Sequence, residues 1–234
     1  MPDTQAIEPI TVDVISDVMC PWCYVGKRRL ENALADVAGI DVVVNWRPFQ
    51  LDPTIPPEGK DRRAYFEEKF NDDDRVRDMH AQLTELGRAE GIAFDFKAIE
   101  RSPNTLDAHR VVRWAGIEGE KMQDAVVERL FSMFFVEGAD MTRHESLVAA
   151  AADAGMDAPV VEALLAGDAD RAAVEEEIAT AQKIGVTGVP CFIIDNRYAV
   201  LGAQESSVIA DAIRQSYQER QAGVRPPAEG GPEA

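Results

Sequence analysis

The chain has 234 residues, 46% of them hydrophobic, and a formal net charge of −18 from 42 acidic and 24 basic side chains. That length carries one large domain or two small ones with ample core. The acid excess, with no basic patch to offset it, argues against nucleic acid or an anionic membrane surface as partner. No apolar run approaches the ~20 residues of a membrane span. Residues 1–8 show no basic segment followed by an apolar one, so no secretory signal is expected and a cytoplasmic location is.

The first expected element is a short strand over residues 10–15, carried by Thr11, Val12, Val14 and Ile15. Cys20-Pro21-Trp22-Cys23 then opens a helix running to about residue 38, with Leu30, Leu34 and Val37 at helical spacing and Gly39 as its stop. Val42, Val43 and Val44 make a β-branched strand over 41–46, which completes a βαβ unit. Residues 48–59 are too rich in proline for regular structure. A helical pattern follows for more than a hundred residues. Its stripes are Val76, Met79, Leu83 and Leu86, closed by Gly91; Leu106, Val111, Val112 and Trp114, capped by Asn104 or Ser102; and Val126, Val127, Leu130, Phe131 and Phe134. Leu147, Val148 and Ala151 form the next, then a helix begins near Pro159, and Val174, Ile178 and Ala181 end at Gly185. Strand character returns in a hairpin, residues 191–194 and 198–201 about an Asp195-Asn196-Arg197 turn. A last helix carries Val208, Ile209, Ala212, Ile213 and Tyr217, and the Pro-, Gly- and Glu-rich tail over 223–234 is expected to be disordered.

Two thiols two residues apart can close a small disulfide ring. Their placement puts Cys20 at a helix N-terminus, where unpaired N–H groups and the helix dipole favour an anion, here the nucleophilic thiolate. Pro21 suits the first helical position, where its missing N–H costs nothing, and Trp22 can shield the sulfurs on one side. Three cysteines are too few for a disulfide scaffold, and a reducing cytoplasm favours a catalytic dithiol over a structural clamp. Far along the chain, Gly188-Val189-Pro190 precedes the hairpin. Pro190 reads either as a simple loop proline or as a cis proline that turns the chain and leaves the Val189 backbone exposed.

With these motifs the chain resembles the thioredoxin superfamily, specifically the DsbA family and within it the FrnE-like branch. Cys20-Pro21-Trp22-Cys23 resembles the active-site motif and Gly188-Val189-Pro190 the cis-proline loop. Ser16-Asp17, Tyr24-Val25-Gly26-Lys27-Arg28, the stretch from Arg47 to Pro53, the stretch from Asn104 to Arg110, and Gly202-Ala203-Gln204 add to the likeness, which covers roughly residues 10–220. It implies an α/β thioredoxin-like fold with a large inserted all-helical domain: 1–54 and 184–222 for the thioredoxin-like part, 55–183 for the insertion. It also favours the cis form of Pro190. The same branch is similar to 2-hydroxychromene-2-carboxylate isomerases and kappa-class glutathione transferases, which carry serine where this chain has Cys20 and bind glutathione by the cis-proline loop and the start of the last helix. Gly202-Ala203-Gln204-Glu205 departs from their Gly-Asp-Arg-like pattern, which weakens that reading and makes Gln204 a residue to locate.

The leading expectation is a thiol–disulfide oxidoreductase. Cys20 attacks a disulfide, Cys23 resolves the mixed disulfide, and Pro21, Trp22, Val189 and Pro190 contact the substrate. Pro-Trp supplies no cation between the cysteines, so a weak oxidant is expected, working as a reductase or isomerase. The expected partners are a disulfide-containing protein or small molecule, and glutathione or a thioredoxin-type reductant. No cofactor is obligatory, no metal is expected, and a homodimer is one assembly the sequence leaves open. The alternatives are a glutathione-dependent isomerase or transferase and a non-catalytic, chaperone-like module. Four further residues carry two readings each. Asp17 is a proton relay or a solvated loop acid. His109 is catalytic or structural, Asn104 a ligand contact or a helix cap. Cys191 is a third redox thiol or a small core residue. Trp46, Phe49 and Trp114 line either a pocket or the core.

Overall fold

The structure is a computed structural model and describes residues 8–70 and 72–224. Most of the expected tail over 223–234 lies outside those residues. Strand β1 (Ile10–Ser16) runs into helix α1 (Pro21–Asp36), which returns into strand β2 (Val42–Pro48). At the other end of the chain, β5 (Cys191–Ile194) and β6 (Tyr198–Leu201) form the hairpin, followed by α9 (Ser206–Gln221). The four strands make one sheet in the order β2-β1-β5-β6, with β1 parallel to β2 and the remaining pairs antiparallel. This is the thioredoxin-like arrangement that the two ends of the sequence imply.

Between the halves lie β3 (Lys60–Asp61), α2 (Arg62–Phe70), α3 (Asp73–Ala89), β4 (Arg101–Ser102), α4 (Leu106–Glu118), α5 (Glu120–Phe135), α6 (His144–Ala154), α7 (Ala158–Leu165) and α8 (Arg171–Lys183). The insertion is therefore not purely helical. Lys60 and Asp61 pair with Ser102 and Arg101 in a two-residue antiparallel ladder that joins the two ends of the segment carrying α2 and α3. Residues 92–94 belong to no strand. No helix among the described residues is long and apolar enough to cross a membrane.

The core is continuous across the two parts. One cluster contains Val12 and Val14 of β1, Tyr24 and Val25 of α1, Phe131 and Phe135 of α5, Leu147 of α6 and Ile209 of α9. The other sheet face carries a smaller cluster in which Ala181 of α8 packs with Ile15, Phe49, Val186 and Cys191. The last helix of the insertion thus covers the sheet itself. Strand β2 is an edge, and such an edge leaves backbone groups unpaired. Gln123 of α5 fills part of it: Trp46 N–H donates to Oε1 (2.9 Å), and Nε2 donates to Trp46 C=O (3.2 Å).

Candidate active site

The sheet register brings the site together. Ser16 lies opposite Pro48 and Ile15 opposite Cys191, so the C-terminal ends of β1 and β2 and the start of β5 share one edge of the sheet. Three loops leave that edge: residues 17–20, residues 49–52, and Val189-Pro190. The Val189–Pro190 bond is cis.

Cys20 is the N-cap of α1, extended at φ −93° and ψ 112°, with Pro21 in the first turn. Its N–H donates to Asp17 C=O (3.0 Å), and its own C=O accepts from Cys23 N–H (3.0 Å), which fixes the first turn of the helix. The Cys20 thiol donates to the Val189 carbonyl at 3.6 Å, so the motif and the cis-proline loop, 169 positions apart, are in direct contact. Both cysteines are free thiols and recessed, with 3% and 1% of their surface exposed. Burial, and then the hydrogen bond and negative charge of Cys20, push the Cys23 thiol well above its ordinary range; the Ser16 hydroxyl and the Asp17 amide pull the other way without prevailing. Trp22 is exposed beside the pair, as is Leu51 on the neighbouring loop.

Asp17 is fully buried, not a solvated loop acid. Its carboxylate accepts from Leu51 N–H (2.7 Å) and Met19 N–H (3.4 Å), tying the dithiol loop to the loop after β2. His109, on α4, is buried as well; its Nε2 donates to Phe49 C=O at 2.8 Å and lies 3.5 Å from Asp17 Oδ1. The N-cap of α4 is Thr105, not Asn104. Asn104, one position earlier, accepts from Leu106 N–H (3.0 Å) and Gln50 Nε2 (2.9 Å) and donates to Ile55 C=O (2.7 Å), so it ties the start of α4 to the 49–55 loop. Trp46, Phe49 and Trp114 are all buried.

Two predicted residues are not brought to the dithiol. Cys191 packs in the small cluster with Ile15, Phe49, Ala181 and Val186, apart from the larger cluster that holds Cys20 and Cys23; burial raises its thiol. Gln204 is exposed and donates to Leu201 C=O of its own turn (3.0 Å). The adjoining Ala203 carbonyl is held by Arg29 of α1 (2.7 Å), which also pairs with Glu90 and Glu205.

The residues after the motif anchor its helix. Tyr24 stacks on Phe131 with ring centroids 5.1 Å apart and donates to Glu128 (2.9 Å). Lys27 is almost fully buried; burial opposes its charge, but Asp124 (3.1 Å), Glu31 and Glu128 more than compensate and raise it. Gly26 marks a close approach of α1 to the cis-proline loop. A β-carbon there would sit 2.9 Å from Pro190 Cγ and 3.2 Å from Phe192 Cζ. Gly26 and Ser16 stand in the motifs, but neither contact could be read without the fold. Arg110 does similar work on the insertion: fully buried, it donates to the carbonyls of Leu164, Gly167 and Ala169, each at 2.7 Å.

This geometry has known counterparts. The family model of the DSBA-like thioredoxin domain matches residues 11–214. The chain belongs to that family. A crystal structure described as a probable DsbA oxidoreductase from Streptomyces coelicolor is 32% identical, covers 90% of this chain and 91% of its own, and superposes with a TM-score of 0.81. The uncharacterized protein YwbO of Bacillus subtilis is 26% identical over 208 residues, 87% of this chain and 96% of that protein. A 2-hydroxychromene-2-carboxylate isomerase shares the fold, with a TM-score of 0.67 at 17% identity over 92% of this chain and 98% of its own. The DSBA-like thioredoxin fold and family are thereby given.

Proposed function

We propose that the protein is a thiol–disulfide oxidoreductase that works through Cys20 and Cys23 in the reducing or isomerising direction. The observation that carries this reading is the Cys20 thiol at the N-terminus of α1, 3.6 Å from the carbonyl that precedes cis Pro190. In the reaction Cys20 thiolate attacks a substrate disulfide, forming a Cys20–substrate bond and expelling one substrate thiolate. Cys23 loses its proton, attacks Cys20 and releases the second substrate thiol, leaving a Cys20–Cys23 disulfide. An external dithiol or two glutathione thiols then return it to the reduced form.

The direction follows from the residues between the cysteines. A couple is a strong oxidant when its reduced form is stabilised, chiefly as thiolate. Here Pro21 and Trp22 supply no cationic side chain to stabilise a thiolate. Substrates carry a disulfide flanked by apolar groups, which suits the exposed Trp22 and Leu51.

The test is reduction of insulin and refolding of a scrambled substrate with glutathione or a thioredoxin system as donor. The parent chain turns over disulfides, Cys20→Ser is inert, and Cys23→Ser accumulates a mixed disulfide. Equal activity of parent and Cys20→Ser would remove the proposal. Thioether formation or ketone-acid isomerisation that survives in Cys23→Ser would replace it with the glutathione-dependent reading.

A further inference from the structure

Between the dithiol and the helical insertion lies a polar contact that exchange chemistry at Cys20 and Cys23 does not by itself require. Asp17 has no exposed surface and His109 only 4%. A buried carboxylate is costly unless donors surround it. Asp17 has two backbone donors, Leu51 N–H and Met19 N–H, and faces one side chain able to carry positive charge, His109, at 3.5 Å. Because His109 Nε2 faces the Phe49 carbonyl at 2.8 Å and a carbonyl only accepts, that nitrogen carries a proton, and the same nitrogen lies 3.5 Å from Asp17 Oδ1. The Asp17 carbonyl in turn receives Cys20 N–H. One line of contacts therefore runs from α4 through His109 and Asp17 to the residue that bears the nucleophile.

We propose that Asp17 and His109 are a positioning pair through which the inserted helical unit sets the charge beside the dithiol. This rests on the oxidoreductase reading of the same site. Asp17 carries its carboxylate in a low-dielectric setting, on the residue whose main chain meets both cysteines. The protonated edge of the His109 ring, 3.5 Å from that carboxylate, offsets it. The other titratable groups around Asp17 are the thiols themselves and Tyr65 of α2, whose ionisation is opposed first by burial and then by Asp52 and Asp17. Lys69 donates to the Tyr65 hydroxyl (2.6 Å) and lies 3.9 Å from Asp52, so its charge is taken up there. His109 is left as the side chain beside Asp17 that offsets it.

The experiment uses the full chain and three readouts: the alkylation rate of Cys20 at neutral pH, the reduction potential of the Cys20–Cys23 couple in glutathione buffers, and the melting temperature. In Asp17→Asn, which keeps an acceptor for Leu51 N–H but loses the charge, alkylation speeds up and the couple becomes more oxidising. In His109→Leu, which leaves the carboxylate unanswered, alkylation slows about fivefold, the ratio that one hydrogen bond supplies, and the couple becomes more reducing. His109→Gln, which restores an N–H donor, returns the rate to within about twofold of the parent. In the Asp17→Asn background His109→Leu has little further effect. Independent, additive effects of the two substitutions would overturn the pair, as would His109→Gln behaving like His109→Leu, or parent-like alkylation and potential in His109→Leu with only the melting temperature lowered. Alkylation and melting need no disulfide substrate, so a parent chain inert toward every disulfide would remove the proposed function while leaving the alkylation comparison of the variants in force.

Discussion

Gly26 of α1 lies against Pro190 so closely that an added β-carbon forces the helix or the cis-proline loop to shift. A β-carbon on Gly26 would stand 2.9 Å from Pro190 Cγ. The helix that bears the dithiol and the loop that faces it are thus set by contact of the backbone at one position with the proline ring at the other. In Gly26→Ala the gain in helix propensity, about 1 kcal/mol, is outweighed by overpacking of ~1–3 kcal/mol. The expected result is a modest fall in melting temperature and a larger fall in insulin-reduction rate, because the change separates Cys20 from Val189.

Cys191 is expected to be silent in redox chemistry. It packs with Ile15 and Phe49, in a cluster separate from that of Cys20 and Cys23. Cys191→Ala should leave the reduction potential and the exchange rate as in the parent and cost about 1 kcal/mol of stability through the small cavity it opens. A changed potential would show that the third thiol communicates with the pair.

Arg110 holds three carbonyls of the α7–α8 connection and pairs with Asp107 (2.9 Å), with its guanidinium 5.1 Å from the centroid of the Trp114 ring. Arg110→Met removes all of these charge-assisted hydrogen bonds, a loss of about 1.5–3 kcal/mol. Arg110→Lys recovers little, since a point ammonium cannot serve a planar fork of acceptors. Urea denaturation of the three forms checks both expectations.

Stability should fall on acidification partly through His80. Its ring stacks on Phe96 with centroids 4.3 Å apart, and burial, aided by Arg62, lowers it from 6.5 to about 4. Between those two values the unfolded chain takes up a proton that the folded chain refuses, so stability is full above the upper value and declines as pH falls toward the lower. With the ring only half buried, the loss is about 1–2 kcal/mol. Comparing denaturation midpoints at neutral and mildly acidic pH isolates the effect, provided His80→Gln flattens the difference.

The strands, the dithiol helix and the hairpin were legible because each follows from local chemistry: β-branched runs, a 3.6-residue stripe, glycine stops, and an Asp195-Asn196 turn whose residues do adopt positive φ. The two short strands of the insertion were not, since a two-residue ladder between Lys60–Asp61 and Arg101–Ser102 has no period to detect. Nor was α2 separable from α3 in a continuous helical pattern. At the site, the thiols and Pro190 stood out by motif. The work of His109 did not, because its partners, Phe49 and Asp17, come from other segments and meet it only through the sheet register. Lys27 read as an ordinary helix charge; only packing of α1 on α5 shows that its ammonium is enclosed by three carboxylates. The placement of Cys191 likewise depended on its register with Ile15, which no local pattern encodes.

Tyr24, one residue beyond Cys23, is stacked into the rings of Phe131 and Phe135. The redox helix therefore has its root in the helical insertion as well as in the sheet. Excising that insertion to leave a minimal thioredoxin would strip this tyrosine of its aromatic neighbours and leave the remnant without much of its shared interior. The two parts should melt together in a single calorimetric peak, and evolution could enlarge or trim the insertion only at its outer loops.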